Sequence, residues 1–419
     1  MFQSKKTKWR TLENAAKIFP ATSNAKDERV FRFACELNEN VIPEALQQAV
    51  DDSMEDFSLF ACVMRKGLFW NYLEESDLKP IVREEYKEPC DRMYERDQKN
   101  LLFEVTYFKR RINLEVYHAL ADGTGVMWFL KTIVYRYLIQ THPDKVKGPV
   151  TRLDIDMTDY EQREDSFEKY YEKEKKNIKI PRYKSFQLRY PKLQDASQSI
   201  VEGIAPVDKL IEASHKYHTT VTVLLTAVFF CAIAKEMSPA QRKKPVALMI
   251  PVNLRQFFPS ASGRNYFSWI DIGYDFSKDS DKLEDVISYV SDFFKREITR
   301  ERMAYRVNEY VGIEHKFILR MVPLEIKTRF LQLGNWQNRN SNTAIFSNVG
   351  KVTMPEECRP FIRLFDFFTS TPHMQLCMCS YGNNMVMSFT SVFENTTMRR
   401  NFFRMLTQMG IPVEIAARP

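Results

Sequence analysis

What this chain lacks narrows its class before any motif is considered. Its seven cysteines in 419 residues form an odd, scattered set, which suits a reducing compartment better than a disulfide-stapled secreted fold. No Cys-x-x-Cys is among them. The tightest group, "HMQLCMC" with His373, Cys377 and Cys379, has no evident fourth ligand for a metal. Cys377 and Cys379 read instead as small apolar residues on one face of a strand, and no metal site is expected. The longest apolar run, "VTVLLTAVFFCAIA" at 221–234, falls short of the roughly 20 residues a membrane span needs, and reads as a buried helix. The opening "MFQSKKTKWRTLENAAKIFP" has lysines but lacks the apolar core of a signal peptide. No membrane span and a cytoplasmic location are the expectation. A large excess of one charge is missing too, with 61 Lys and Arg against 54 Asp and Glu and a net charge of +7. Without RNP, zinc-finger or recognition-helix signatures, nucleic acid is not an expected partner, whereas an anionic or neutral small molecule is compatible.

Ordinary apolar content and generous aromatic content predict a well-buried globular protein, and the length suits two cores. Strand and helix patterns alternate in the first part. "RVFRFACEL" (29–37) is a strand pattern, and "PEALQQAVDDSMEDF" (43–57) a helix with Pro43 in its first turn. Residues 58–75 and 101–118 each give a strand pair, turning near Lys66 and Lys109. Val126, Phe129, Leu130, Ile133, Val134, Tyr137 and Leu138 then recur with the period of an amphipathic helix. The charge-dense stretch 160–179 reads as a solvated helix or linker. Beyond it come the buried helix, strands at 245–255, 266–276 and 342–350, and a helix at 281–298 with Asp281 and Glu284 spaced as a capping box. A hairpin at 374–393 turns at Gly-Asn-Asn. The resulting division is residues 1–160, a linker at 161–184, and residues 185–419, an α/β architecture of two halves.

The stretch "LEVYHALADGTG" (114–125) carries the candidate chemistry. Period-2 alternation places Ile112, Leu114, Val116 and His118 on one apolar face, so His118 points inward. Such a histidine is either a satisfied core residue or a catalyst. Asp122 either braces the turn at Gly123 and Gly125 or caps the following helix. About 130 residues on, "PVNLRQFFP" (251–259) sends Arg255 out of an apolar strand. Buried, it would need a carboxylate, and Asp122 is a candidate. That pairing would lower the Asp pKa and disqualify it as a base, leaving it to lock the loop that aims His118. "FSNVG" (346–350) is a polar turn whose small residues permit close backbone approach.

"HALADG" (118–123), "VNLR" (252–255) and "SNVG" (347–350) together resemble the chloramphenicol-acetyltransferase-like superfamily, which includes condensation domains and alcohol acetyltransferases. The resemblance covers nearly the whole chain. It implies two α/β subdomains in a V, with a tunnel between them and His118 at its midpoint. Its catalytic set here would be His118, Asp122 and Gly123, with an Asp122–Arg255 salt bridge. Candidate oxyanion or acceptor contacts are Asn253, Ser347 and Asn348. The implied activity is acyl transfer from a coenzyme A or carrier-protein thioester to a small-molecule hydroxyl or amine, with His118 as general base. Coenzyme A enters as co-substrate, no tightly bound cofactor is implied, and an acyl carrier protein is a further candidate partner. Condensation domains usually carry two adjacent histidines, but here the first is Tyr117, which points toward the stand-alone acyltransferases. Amide or ester formation on carrier-bound substrates, and a catalytically silent partner-binding relative, remain the alternatives. "QRKKP" (241–245) reads as a solvated loop or a basic rim for coenzyme A phosphates. Phe267 and Trp269 read as core or channel lining.

Overall fold

Strands with short turns dominate the first third of the chain, and they divide between a small three-stranded sheet and one of the two main sheets. The computed structural model describes residues 9–25, 27–95, 98–148, 153, 164–173, 178, 180–194, 197–316 and 321–418. Its N-terminal elements are β1 (Trp9–Thr11), α1 (Ile18–Thr22), β2 (Val30–Leu37), α2 (Pro43–Asp56), β3 (Cys62–Lys66), β4 (Asn71–Glu75), β5 (Arg83–Glu84), β6 (Phe103–Phe108), β7 (Arg111–Tyr117) and α3 (Gly123–Thr141). After a short α4 (Ser166–Lys169) come β8 (Ser199–Pro206), α5 (Val207–Lys216), α6 (Val221–Ala234), β9 (Val246–Asn253) and β10 (Phe267–Tyr274). The chain continues with α7 (Leu283–Glu297), α8 (Arg300–Glu314), α9 (Leu324–Asn338), β11 (Ala344–Lys351) and β12 (Ile362–Thr369). It ends with β13 (Met374–Tyr381), β14 (Asn384–Ser391), α10 (Thr397–Gln408) and β15 (Glu414–Arg418).

Two main sheets result, in the orders β12-β2-β7-β6-β5 and β10-β9-β11-β13-β14-β8-β15, beside a small β1-β4-β3 sheet. Each main sheet has its own apolar cluster. One lies beneath β2, β6, β7, α2 and α3, and the other surrounds α6, which is buried on nearly every side. One strand crosses between the halves. β12, late in the chain, pairs antiparallel with β2 in the N-terminal sheet, so the span 185–419 contributes a strand to the first half. A second tie is electrostatic. Arg111 on β7 forks onto both oxygens of Glu202 on β8 at 2.7 and 2.9 Å, with Asp366 of β12 at 3.5 Å. Removing one member of such a buried set would strand a charge, which makes the junction specific rather than merely adhesive.

Two local expectations differ from the structure. Helix α7 begins after Lys282 with no side-chain cap, because Asp281 turns to pair with Arg242 at 3.1 Å. In the charge-dense linker, residues 161–163, 174–177 and 179 lie outside the described residues. Its described part is not simply solvated, since Phe167 is fully buried and meets Tyr266 edge-on at 5.0 Å. Tyr170 and Tyr171 pack against the same apolar cluster and help to anchor α4. No helix among the described residues is long and apolar enough to cross a membrane.

Candidate active site

β7 is buried along its whole length, and His118 is the first residue beyond it. Its backbone N–H donates to Arg29 O at 2.8 Å, which prolongs the β2–β7 ladder by one step and fixes the ring's direction. Three aromatic rings enclose the imidazole. Phe19 stacks on it at 4.3 Å between centroids, Phe31 lies at 4.8 Å and Phe267 at 5.6 Å. This cage pushes the imidazole pKa below its usual 6.5, because burial penalises the cation more than the ring's own carbonyl, Asp122 and Asn265 favour it. The ring is nonetheless not sealed. Although deep in the molecule, it keeps accessible surface, unlike its neighbours Tyr117 and Ala119.

The hydrogen bonds also settle the tautomer. Asn265 Nδ2 donates to His118 O at 2.9 Å, and a carbonyl can only accept. The amide is therefore oriented with Oδ1 toward His118 Nδ1, at 3.1 Å. Oδ1 can only accept as well, so the neutral imidazole carries its proton on Nδ1. The lone pair is left on Nε2, which has no hydrogen-bond partner among the described residues.

Asp122 faces away from this chemistry. It caps α3, with Oδ1 accepting from Thr124 N and Gly125 N at 3.1 Å each. Its Oδ2 accepts from Arg255 Nη1 at 2.6 Å and from Tyr266 N at 2.9 Å. Arg255 then reaches onward, its Nη2 donating to Ser262 O at 2.6 Å and Arg264 O at 2.8 Å. The pair thus clamps residues 262–266, the segment that carries Asn265. Gly125 completes the clamp, since a Cβ there would stand 1.9 Å from Gly263 O. The bare backbone of α3 is what lets this loop come close.

The remaining candidate residues converge less completely. Asn253 caps the turn into Leu254–Gln256 and donates to Thr124 Oγ1 at 3.1 Å, next to the α3 N-terminus. Asn348 donates to Thr222 Oγ1 at 3.0 Å, and its Oδ1 holds Gly350 N at 2.8 Å. The β11 register shifts between Asn348 and Gly350, and this irregularity carries Val349 to 3.5 Å from where a Cβ of Gly123 would sit. Gly123 itself has no left-handed backbone; it marks where the two halves approach. Ser347 pairs with Cys377 along β13 and is half-buried. Gln241–Lys243 is a short exposed turn. Trp269 stacks on Tyr310 at 5.5 Å rather than on the imidazole.

Sequence reasoning missed three contributors: Asn265, Phe19 and the loop glycine Gly263. The only sequence signal was the polar "SGRN" (262–265) just before an aromatic strand. Beneath this loop, Glu13 and Arg264 meet Leu12, Ala16, Leu73 and Asn265 around a gap too narrow for a water molecule. Both Glu13 carboxylate oxygens are buried without a hydrogen bond, Arg264 Nε standing 3.4 Å away. Burial pushes the Glu13 pKa up to about 8 despite that guanidinium.

Two sheets linked by a strand that the second half contributes to the first, with an inward histidine at the end of one of them, match the acyltransferase and condensation-domain class of folds. Solved structures agree. The TRI3 trichothecene 15-O-acetyltransferase from Fusarium sporotrichioides superposes with a TM-score of 0.60 at 10% identity, covering 98% of this chain and 96% of that one. The first condensation domain of the CDA synthetase gives 0.61 at 11% identity, with 96% of each chain covered. The polyketide synthase associated protein 5 of Mycobacterium tuberculosis gives 0.57 at 12%, covering 95% of this chain and 96% of that one. The chain belongs to the alcohol acetyltransferase family, whose model matches residues 166–409. That span begins beyond His118, so the family match speaks for the second half and the histidine rests on its own geometry. No curated protein sequence matches the chain.

Proposed function

We propose that this protein transfers an acyl group, acetyl in the first instance, from a coenzyme A thioester to the hydroxyl or amine of a small molecule. The observation that carries this reading is the unpartnered lone pair of His118 Nε2, on a ring kept neutral by its aromatic cage and oriented by Asn265. A hydroxyl is too weakly acidic to attack a thioester unaided near neutral pH, and a neutral imidazole in reach removes its proton as the C–O bond forms. The resulting imidazolium returns that proton to the sulfur of the departing coenzyme A, so transfer is direct and no acyl-enzyme is needed. Depressed basicity suits this cycle, because a ring that stayed protonated at neutral pH could not begin it.

The developing oxyanion needs donors. The Asn253 and Asn348 amides each spend one N–H on a threonine hydroxyl, leaving the other N–H as a candidate, with Ser347 beside them. The reactants would meet in a tunnel between the two halves with His118 at its midpoint. The thioester donor draws support from a structural neighbour, the starter condensation domain of rhizomide synthetase, whose structure holds C8-CoA and which superposes with a TM-score of 0.61 at 9% identity. Free-thiol release from acetyl-CoA with a panel of alcohols and amines tests the proposal. Thiol release that depends on acceptor and falls by about 10²- to 10⁴-fold in His118→Ala is expected. Full activity in that variant, or silence of the wild type with every donor and acceptor, refutes it.

A further inference from the structure

Large apolar side chains are exposed singly over most of this surface, which is ordinary, but at α9 they converge. Ile326, Phe330, Leu333 and Trp336 are 47%, 68%, 49% and 57% exposed. The first three lie within about 60° of one another around the helix, and Trp336 borders them. Their outward direction is fixed from below. Leu324 N donates to Leu68 O at 2.9 Å, Lys327 Nζ sits 3.6 Å above the Trp70 ring, and Gln332 Nε2 donates to Ala21 O at 3.0 Å. The helix therefore docks through Leu324 and Lys327 and presents its apolar stripe to solvent, the reverse of a core helix. Leu68 and Met321, at the helix start, are also exposed. A concentration of this kind marks an interaction surface.

Charge indicates what covers it. Residues 316–339 contain five Lys or Arg and a single acid, Glu325, and that acid is paired with Lys66. Arg339 lies over the Trp336 ring at 5.0 Å. With Lys327 turned inward and Glu325 paired, the exposed cations beside the stripe are Arg329 and Arg339, and apolar and aromatic side chains flanked by arginines suit the boundary between acyl chains and anionic headgroups. We propose that α9 is a peripheral docking helix for an anionic phospholipid surface. It packs on α1, whose Phe19 stacks on His118, so one short helix separates the docking helix from the candidate site. Docking itself requires nothing of the chemistry there.

Co-sedimentation of the full chain with phosphatidylcholine–phosphatidylserine vesicles, against phosphatidylcholine alone, tests this. Salt-sensitive binding to the mixed vesicles is expected. It should fall at least about tenfold in the double variant Phe330→Ser/Trp336→Ser and in Arg329→Glu/Arg339→Glu. Both pairs are exposed, so wild-type thermal unfolding midpoints are expected, and soluble-substrate turnover serves as the independent readout of the fold. Absence of vesicle binding, or equal binding by the first double variant, overturns the proposal. So does a wild-type dimer that this variant dissociates, or an acidic acyl carrier protein captured through α9 without vesicle binding.

Discussion

Asn265 offers the sharpest test of how the imidazole is set, because two substitutions separate its two effects. Asn265→Ala removes both the donor to His118 O and the acceptor for Nδ1–H. A net hydrogen bond of this type contributes about 0.5–1.5 kcal/mol, so a loss of about three- to tenfold in kcat is expected. Asn265→Asp keeps an acceptor near Nδ1, 3.1 Å away in the wild type, but makes it anionic. An opposite charge that close favours the imidazolium by about one to three pH units. The measurement is kcat/KM by thiol release across the pH range. In the wild type the acid limb reports ionisation of the free enzyme's base and should fall below 6.5, since burial lowers the His118 pKa. In Asn265→Asp that limb should move up by at least about one unit, while Asn265→Ala lowers the plateau. Both variants lose the bond to the His118 carbonyl, so the shift between them isolates the charge. An acid limb that stays put in Asn265→Asp, with wild-type turnover in Asn265→Ala, would mean that Asn265 does not hold the proton on Nδ1.

Further outcomes follow from the groups around it. Arg255→Ala and Asp122→Ala should each destabilise the fold by about 3–5 kcal/mol in urea unfolding, since either leaves a buried charge unpaired. The double variant should lose markedly less than their sum, with a coupling of at least about 1 kcal/mol; additive losses would break the inferred clamp. Glu13→Gln should gain stability over the wild type as pH rises. The wild-type fold holds this carboxyl protonated up to about 8 against a usual 4.5, so its protonated form's contribution is lost as pH climbs through that window. Equal stabilities at pH 5 and pH 9 would show that Glu13 titrates normally.

Much of this architecture was legible in the sequence because the periodic signal was strong and local. β2, β6, β7 and α3 follow from alternation and helical spacing within single windows, and so does the inward direction of His118. The pairing of Asp122 with Arg255 was also reachable, because a buried guanidinium leaves few ways to be satisfied. What that pair accomplishes was not. Reading along the chain suggests that it steadies the turn at 118–123, where the Asp resides. In space, Arg255 spends its other nitrogen on the carbonyls of Ser262 and Arg264, and so governs the loop bearing Asn265. Backbone carbonyls leave no mark in a sequence, and neither does the contact between Gly125 and Gly263 that lets this loop close on α3. The strand at 362–369 was not read from the sequence at all, and no local pattern could have named its partner, which lies more than 300 residues earlier. The proposed base is thus chemically conspicuous, whereas the residue that aims it is ordinary. Here the conspicuous Asp122 and Arg255 act at one remove, and an unremarked asparagine holds the proton on Nδ1 and so sets the free lone pair on Nε2 of the imidazole.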